Sequence, residues 1–573
     1  MSTSSGSSSS FWISAQPLKV PDFDILSFTF DGDVSYDENK PMFVDARDST
    51  KNITAATARH IVRRLCKGWK EIGLQQGDCV TISSANHVSI DKIKLYIAVK
   101  QLTTFWGRQI LYPLIWLGII GAGGVVAGAN PALTVSELKH HLNVTATKYL
   151  VIQAPYSGNI VKATTACGTT LQSVFVFDGK SDPQLYGHHR EDGETDPNGF
   201  NKFGVLLEHG QQQWLIHTDT TRPAIHATTS GTTGLPKAAV LPHKYIVSQA
   251  LTPEEQYRAR AAQVSQLVSL PIFHCFASNT AMILPLRLGI TTYILPRFYR
   301  DEFIDAVFDF SITDAPVVPP IISMLVQYGD QLKHKLHSLR RLICAGSKMA
   351  PCVQDAFYQY LHEDCRISQC WGTTETGWLT LTPDMELDRS GSVGQLLANV
   401  KLKLVSEDGQ PITKEGIYGE ASVMSSAMML GYRNNPAANH TAFDSEHCYR
   451  TGDRAYYQDG KVFITGRIKD IMKVKGWQVS PEELEEKIVS HPKVVDCAVA
   501  GVTSVDHAGL EVTHPRAYVV RAKGSHIDDD DICAWTSSQT VGYKRLTGGV
   551  VFVDQIPRNP AGKILRRLLL ENQ

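Results

Sequence analysis

One short stretch of this chain combines hydroxyl groups, glycines and a lysine as a polyphosphate-binding loop requires. Its residues are Thr229, Ser230, Gly231, Thr232, Thr233, Gly234, Leu235, Pro236 and Lys237. Glycines let backbone N–H groups approach phosphate oxygens, hydroxyls add neutral donors, and Lys237 adds a compact positive charge. The spacing differs from that of a Walker A loop, which indicates a nucleotide loop of another kind. A flexible linker is the alternative, but threonines and a terminal Pro-Lys pair are poor linker residues.

Four further stretches follow in a fixed order. They are residues 369–377 (Gln-Cys-Trp-Gly-Thr-Thr-Glu-Thr-Gly), 449–453 (Tyr-Arg-Thr-Gly-Asp), 466–476 (Gly-Arg-Ile-Lys-Asp-Ile-Met-Lys-Val-Lys-Gly) and 556–563 (Ile-Pro-Arg-Asn-Pro-Ala-Gly-Lys). With residues 230–237, they resemble the signature motifs of the adenylate-forming superfamily. That superfamily includes acyl-CoA synthetases, 4-coumarate-CoA ligases and firefly luciferases. Taken alone, residues 369–377 could be a polar turn and the basic run in 466–476 a solvated face, but the ordered set favours the resemblance.

The resemblance implies a nucleotide site assembled from all five stretches. Trp371 would stack on adenine, Asp453 would hold the ribose hydroxyls, and Arg467 would reach the ribose or a phosphate. Thr374 would bind a phosphate and Glu375 would hold Mg²⁺, since a carboxylate beside phosphates is tolerated chiefly with a hard cation between them. The ATP-binding residues expected from the resemblance are Thr229, Ser230, Gly231, Thr232, Thr233, Gly234, Lys237, Gln369, Trp371, Gly372, Asp453, Arg467 and Lys473.

The reaction implied by the resemblance has two halves. A carboxylate attacks the α-phosphorus of ATP, pyrophosphate leaves with Mg²⁺, and the thiol of coenzyme A then attacks the acyl adenylate. The protein supplies positioning and charge neutralisation, and no covalent nucleophile. Lys563 would serve the first half. After rotation about a hinge at Lys469, Lys475 and Gly476 would serve the second.

The acyl pocket is expected around His274, in the run Pro271 to Phe276, which resembles the family's Pro-x-Phe-His element. A lone histidine in an apolar run is otherwise a core residue. Phe276 stands where coumarate ligases have tyrosine, and the lost hydroxyl argues against 4-coumarate as the substrate. The expected pocket residues are His274, Phe276, Thr280, Gly346, Ser347 and Cys370. Together with Lys563, Glu375 and Thr374, His274 is expected to be catalytic.

Lys348 departs from the family's pattern, because it puts a charge at a wall that is usually apolar. Its side chain either binds an acidic group of the substrate or points outward. A medium-chain, branched or aryl acid is the expected substrate, and the chain resembles fungal secondary-metabolite acyl-CoA ligases.

Composition limits the classes of partner. The chain has 573 residues and a net charge of −1, which argues against a nucleic-acid surface and for small-molecule partners. Eleven cysteines without a Cys-x-x-Cys pair indicate reduced thiols and no zinc site. The N-terminus lacks the features of a signal peptide and the C-terminus lacks a Ser-Lys-Leu address, which predicts a cytoplasmic protein. Pathway enzymes or a carrier protein are further candidate partners.

The alternation of helical and strand patterns predicts an α/β protein. We expect a disordered tail (1–20), a large domain of parallel or mixed sheets with a barrel-like subdomain (21–466), a hinge (467–470) and a small mobile α+β domain (471–573). Ser480 is expected to cap a helix, with Glu483 completing a capping box. The apolar residues 111–129 are interrupted by Pro113 and several glycines, which favours a buried helix, turn and strand over a membrane span.

Residues 91–109 are an anomaly, because the family runs almost directly from Asn86-His87 into the apolar helix. They are either an inserted flap or an error in the gene structure. Two rival functions stay open: an acyl-AMP ligase that loads a carrier protein or an oxygenase of the luciferase type, and an inactive acyl- or nucleotide-binding protein. The charged residues expected at the site argue against the inactive protein, since clustered charges have no structural reason to persist.

Overall fold

The computed structural model describes residues 10–14, 17–32, 35–84, 109–153, 162, 171–177, 195, 199–229, 235–258, 260, 264–474, 477–505, 511–559 and 562–571. Within them, two mixed sheets and one antiparallel sheet form the N-terminal part of the chain, and two small sheets form the C-terminal part. The expected α/β class is therefore confirmed, and the antiparallel sheet forms a half-barrel that corresponds to the expected barrel-like subdomain.

The order of strands in each sheet shows which segments meet at the site. One mixed sheet has the order Gly431–Tyr432, Lys237–Pro242, Pro223–Thr229, Val125–Ala129, Cys79–Ser83, Thr147–Gln153, Ser173–Phe177, Asn201–Lys202. The other has the order Gln395–Leu396, Gly377–Leu381, Arg366–Thr373, Arg341–Cys344, Asp314–Val317, Ser265–Val268, Thr291–Ile294, Pro41–Asp45, Asp48–Thr54. The antiparallel sheet contains Trp12–Ile13, Lys401–Val405, Gly419–Met424, Tyr449–Gln458 and Lys461–Arg467, with Pro411–Ile412 beside Lys401–Val405.

Helices cover these sheets. The α-helices of the described chain are Ile25–Phe30, Ala55–Glu71, Tyr112–Gly121, Val135–Thr145, His243–Arg258, Cys275–Ser278, Leu284–Leu288, Arg300–Asp309, Pro319–Val326, Leu332–Lys335, Pro351–Tyr358, Pro436–Ala442, Pro481–Val489, Asp529–Ser538 and Arg566–Glu571. The 3₁₀ turns are Gln109–Leu111, Phe203–Leu207, Gly329–Gln331, Ile468–Asp470 and Gly542–Lys544, and Asn279–Ile283 is a π-helical turn.

The C-terminal part combines the hairpin Met472–Val474 and Trp477–Val479 with a sheet of Val494–Val505, Glu511–Arg521 and Val550–Phe552. Ser480 precedes a helix that begins at Pro481, as expected, but its side chain makes no capping bond. Ser480 Oγ donates instead to Thr465 O at 2.7 Å, so it ties this helix to the antiparallel sheet. The expected capping box is therefore wrong.

The N-terminal tail also needs a correction. Trp12 and Ile13 form a short strand against Leu402 and Lys401, although residues 1–20 were expected to be disordered. The ring of Trp12 lies 5.3 Å from that of Tyr457, which gives this strand an apolar anchor. The anomalous residues 91–108 lie outside the described residues.

The apolar residues 111–129 form the buried helix Tyr112–Gly121 and the strand Val125–Ala129, joined by a turn at Gly123, where φ is +92°. Across the described ranges, no helix is both long and apolar enough to cross a membrane. The expected helix, turn and strand are confirmed.

A buried group of charges lies at the start of the central parallel strands. Arg341 is 1% exposed and contacts Asp384 at 3.0 Å, while Arg260 binds Asp314 at 2.5 Å and also reaches Asp384 at 3.2 Å. Two guanidinium groups thus balance two carboxylates; of these four groups, Arg341 and Asp314 are buried and Arg260 and Asp384 are 23% and 20% exposed. Such a cluster is stable only when every charge keeps its partner.

We expect Arg341→Met to lower the free energy of unfolding by about 3 kcal/mol, because the buried Asp314 and the partly exposed Asp384 would then share the one guanidinium of Arg260. The matched variant Arg47→Met removes a half-exposed ion pair with Glu302 and should cost at most about 1 kcal/mol. Thermal unfolding of both variants checks this, and equal midpoints would contradict it.

Candidate active site

A cavity of about 700 Å³ lies where the large sheets, the antiparallel sheet and the C-terminal part meet. Its lining includes most residues that the sequence predicts: Thr229, Lys237, His274, Phe276, Gly346, Ser347, Cys370, Trp371, Gly372, Thr374, Glu375, Asp453, Arg467, Lys469 and Lys563. Residues as far apart as 229 and 563 therefore form one site.

Three predicted residues do not line the cavity. Gln369 is buried, and its side chain donates to Gln354 Oε1 at 3.4 Å. Thr280 lies in the π-helical turn, where its hydroxyl donates to Ala277 O at 3.2 Å. Lys473 is exposed on the hairpin Met472–Val474. The predicted Ser230, Gly231, Thr232, Thr233, Gly234, Lys475 and Gly476 lie outside the described residues.

A tight turn places Thr374 and Glu375 in the cavity. The strands Arg366–Thr373 and Gly377–Leu381 are antiparallel, and their register shifts between Trp371 and Gly372. A Cβ atom on Gly372 would lie 2.2 Å from Gly377 O, so only glycine permits the two strands to approach this closely. The carbonyl of Thr374 accepts from the Tyr245 hydroxyl at 2.9 Å, and this hydrogen bond holds the turn in place.

Trp371, Asp453 and Arg467 form one polar cluster at the side of the cavity. The indole Nε1 of Trp371 donates to Asp453 Oδ2 at 2.9 Å, and Arg467 Nε lies 2.7 Å from Asp453 Oδ1. Asp453 is 4% exposed, so its charge is balanced by the Arg467 guanidinium, and the neutral indole N–H adds a hydrogen bond. The aspartate raises the already high pKa of Arg467 further, which keeps this guanidinium charged.

Glu375 is held by a hydroxyl group. Tyr432 donates to its Oε1 at 2.6 Å, and the Tyr449 hydroxyl lies 3.2 Å from that of Tyr432. Lys237 Nζ lies 4.8 Å from the centre of the Tyr432 ring, in a cation–π contact. Glu375 and Lys237 thus share Tyr432 as a common support.

The other acidic side chains of the described cavity lining all have cationic partners. These are Glu420, Asp453, Asp470, Glu482, Glu485, Glu486 and Asp496, which pair with Arg450, Arg467, Arg566, Arg566, Arg566, Lys348 and Arg558 respectively. Glu375 is 7% exposed and is the one carboxylate of this lining without an ion pair among the described residues. A buried carboxylate in this position favours an external cation.

Lys563 reaches the cavity on a loop of the C-terminal part. Asn559 Oδ1 accepts from Lys563 N at 2.9 Å, and Arg558 Nη1 donates to Gly562 O at 2.8 Å. Gly562 has a φ of +83°, and a Cβ atom there would lie 3.3 Å from the side chain of Val318 in the large domain. The loop therefore packs closely against the large domain just before Lys563.

The environment of Lys563 disfavours its charged form. Burial, helped by the nearby cation of Arg467, lowers the pKa of Lys563 to about 8. The negative charges of Asp470 and Asp453 oppose this shift only in part. An arriving polyanion would favour the protonated form, so this ammonium group is placed to respond to one.

A buried ion cluster holds the C-terminal part together beside the cavity. Arg566 contacts Asp470 at 3.3 Å, Glu482 at 3.2 Å and Glu485 at 2.8 Å. Burial outweighs Arg566 and raises the pKa of Glu485 to about 7. Arg566 thus joins the predicted hinge, the helix Pro481–Val489 and the final helix, Arg566–Glu571.

The opposite end of the cavity is apolar. Phe276 and Trp378 pack with ring centres 5.7 Å apart, and Pro319 and Met349 also line this part. His274 lines the cavity beside Phe276, and His274 Nδ1 accepts from the backbone N–H of Phe276 at 3.3 Å. An acyl group fits this end, while the charged end suits phosphates.

Lys348 does not point freely outward, which was one of the two expectations for it. Its Nζ lies 2.6 Å from Glu486 Oε2, so its charge is paired across the boundary between the large domain and the C-terminal part. Lys348 also lines the cavity. No sequence motif connects Lys348 to Glu486, so this contact between the domains could not be predicted from the sequence.

Comparison with known proteins agrees with this geometry. The model of the AMP-binding enzyme family matches residues 104–433, and that of the AMP-binding enzyme C-terminal domain matches residues 483–563. An acyl-CoA ligase of Aspergillus niger, azaF, is 35% identical over 96% of this chain and 98% of its own. A phenylacetyl-CoA ligase of Aspergillus niger, epaB, is 34% identical over 96% of this chain and 97% of its own.

Among solved structures, ATP-bound MatB from Rhodopseudomonas palustris superposes with a TM-score of 0.79 at 24% identity, covering 96% of this chain and 98% of its own. That similarity shows a shared fold. Together, the fold, the cavity and the relatives define an ATP-dependent acid–thiol ligase. The chain belongs to the family of AMP-binding enzymes.

The interdomain pair gives a test of the arrangement around the cavity. Lys348 and Glu486 are 25% and 27% exposed, so we expect a coupling free energy of only about 0.6 kcal/mol. A double-mutant cycle of Lys348→Met and Glu486→Gln, measured on the first thermal unfolding transition, checks this. Additive effects of the two substitutions would show that the pair does not join the domains.

Proposed function

We propose that this ligase converts a carboxylic acid and ATP into an acyl adenylate and pyrophosphate, and then transfers the acyl group to coenzyme A, in fungal secondary metabolism. We further propose that it works in the cytoplasm. One observation carries the proposal: Lys237, Glu375 and Lys563 line the charged end of a cavity whose other end is apolar. This polarity matches an acid that meets the α-phosphate of ATP in the middle of the cavity.

The charged end is assigned to the polyphosphate and to Mg²⁺. Lys237, Lys563 and the Thr374 hydroxyl would bind phosphate oxygens. Glu375 would hold Mg²⁺ together with phosphate oxygens, a donor set that suits this ion because it binds through one or two carboxylates and substrate phosphates. Its lack of an ion pair among the described residues supports this assignment. Bound Mg²⁺ would neutralise the pyrophosphate that leaves.

The cluster of Trp371, Asp453 and Arg467 is assigned to the nucleoside. The Trp371 ring offers a face for adenine, and Asp453 is the acceptor for the ribose hydroxyls. In the ligand-free protein Asp453 is bound by both neighbours, so its carboxylate is already oriented. Arg467 would then share its charge between Asp453 and a phosphate.

The apolar end is assigned to an aryl or arylalkyl acid. Phe276 and Trp378 offer two aromatic faces to the acyl group, and Phe276 has no hydroxyl with which to bind a phenol. His274 would bind the carboxylate as it approaches. The name of the phenylacetyl-CoA ligase relative supports an acid of this class.

The transfer to coenzyme A is proposed to require rotation of the C-terminal part. The 3₁₀ turn Ile468–Asp470 would act as the hinge, with Lys469 at its centre. Lys475 and Gly476 would then face the coenzyme. Breaking the Lys348–Glu486 pair is part of this movement, and its modest strength is compatible with repeated opening.

A pyrophosphate-release assay tests the function. We expect one or a few aryl or arylalkyl acids, phenylacetic acid among the first to try, to stimulate release from ATP, and coenzyme A to be consumed in equal amount. Matched aliphatic and dicarboxylic acids serve as controls. Release without coenzyme A consumption would indicate another acceptor, such as a carrier protein, and absence of release with every acid would refute the proposal.

The role of Lys563 predicts a pH dependence. Its pKa is about 8 in the ligand-free protein, so the charged form that would bind phosphate is present below pH 8 and is lost above it. We therefore expect kcat/KM for ATP to be level below pH 8 and to fall about tenfold per pH unit well above it.

Lys563→Ala should lower the rate of adenylation by about 10²-fold or more and abolish this limb of the pH profile. Lys523→Ala is the matched control, since Lys523 is exposed outside the cavity. Normal pyrophosphate release by Lys563→Ala would show that Lys563 is not needed for adenylation.

A further inference from the structure

Cys275 brings a nucleophilic side chain to the junction of the two ends of the cavity. Its Sγ lies 3.9 Å from His274 Nδ1 and 3.6 Å from Thr374 Oγ1, and all three residues line the cavity. One neighbour is assigned to the acid and the other to a phosphate. The thiol is therefore next to the place where the acyl–phosphate bond would form.

His274 is oriented to act as a base toward this thiol. Its Nδ1 lies 3.9 Å from Cys275 Sγ and also accepts from the Phe276 N–H at 3.3 Å. The one lone pair of this nitrogen is therefore shared between the two groups, and taking the thiol proton requires release of the Phe276 contact. An imidazole nitrogen beside a thiol is the usual means of generating a thiolate nucleophile. Burial raises the pKa of Cys275, but His274 outweighs it and the pKa is lowered overall.

Comparison with two other cysteines indicates that the lowered pKa of Cys275 depends on its contact with His274. Cys370 lines the same cavity, but its Sγ contacts the Trp371 carbonyl at 4.0 Å, and burial raises its pKa far above the usual value. Cys352 is exposed as a residue, but its thiol is partly desolvated, and this raises the pKa of the thiol as well. Both are expected to be thiols at neutral pH, and a thiol is a poor nucleophile.

We propose that Cys275 is a second acyl acceptor, which takes the acyl group from the acyl adenylate when coenzyme A is absent. This inference rests on the proposed function. The Sγ proton passes to His274 Nδ1 and a bond forms between Sγ and the acyl carbonyl carbon. The bond from that carbon to the phosphate oxygen breaks, and AMP leaves with the electron pair. The product is a thioester, and no oxidant or reductant is needed.

The thioester on Cys275 is a reversible acyl-enzyme, because its acyl group can still be transferred. Attack by the thiol of coenzyme A on the same carbonyl would release Cys275 and give the same acyl-CoA product by thiol–thioester exchange. Meanwhile the acyl group would occupy the cavity, so ATP consumption would stop after about one turnover per site.

The test uses the full-length protein with ATP, Mg²⁺ and each acid of the pyrophosphate-release panel, starting with phenylacetic acid, and no coenzyme A. Pyrophosphate is measured in the same samples as the intact protein mass. We expect one acyl group per chain, located on Cys275 by peptide mapping, removed by neutral hydroxylamine and transferred to coenzyme A when it is added. Cys275→Ala should lose the adduct, whereas the control Cys352→Ala should retain it.

A second measurement probes the pair without any acid. Iodoacetamide at pH 7 should alkylate Cys275 at least about tenfold faster than Cys352, and His274→Gln should remove this advantage. Equal alkylation rates, or an acyl group on another residue, would overturn the inference. Pyrophosphate release without an adduct would overturn it and leave the proposed function intact, while absence of release with every acid would overturn both.

Discussion

The structure depends on one electrostatic constraint: several cationic side chains must be held close together before the anion that neutralises them binds. Uncompensated, they would repel one another and destabilise the folded chain. Each is managed in its own way. Arg467 is paired with Asp453, Lys237 lies over the Tyr432 ring, and Lys563 is held where its proton is easily lost. A polyphosphate would then gain the attraction of all three groups, because the protein has already ordered them.

The same constraint explains why so much of the C-terminal part is committed to charge pairs. Arg566 holds three carboxylates from two separate segments, so the hinge region, one helix and the end of the chain are fixed relative to one another. Lys563 precedes Arg566 by only three residues, and its position therefore follows that of the cluster. By contrast, contact with the large domain depends on weaker, half-exposed interactions such as Lys348–Glu486. Buried charge pairs thus join the segments of the C-terminal part, whereas its ion pair with the large domain is partly exposed.

Much of this could be predicted from the sequence, because the motifs carry their chemistry in residue types that have few other uses. The alternating helices and strands and the interrupted apolar segment follow from patterns within a few residues. The motifs, with the family resemblance that they support, identify 15 residues of the cavity lining. Gln369, Thr280 and Lys473 do not line the cavity, because a motif identifies a stretch, whereas the direction of each side chain depends on the strand register and on local hydrogen bonds.

The residues that sequence reasoning missed act through distant partners. Tyr432 supports Glu375 across 57 positions, and Glu486 pairs with Lys348 across 138. The spacing of residue types along the sequence does not predict contacts between such distant residues. Among these residues, only Cys275 could have been found from the sequence, because it directly follows His274 in the run Pro271 to Phe276. Ser480 shows the opposite case, in which a correct local pattern was overridden by a tertiary hydrogen bond to Thr465.

The short strand Trp12–Ile13 has a consequence for how this enzyme can be produced. It pairs with Lys401 and Leu402, covering part of a strand that would otherwise present unpaired backbone groups to solvent. Uncovered sheet edges invite pairing between molecules. A shortened gene that starts at residue 21 would therefore yield a protein whose nucleotide cavity is complete but whose antiparallel sheet has an open border, prone to self-association during expression and storage.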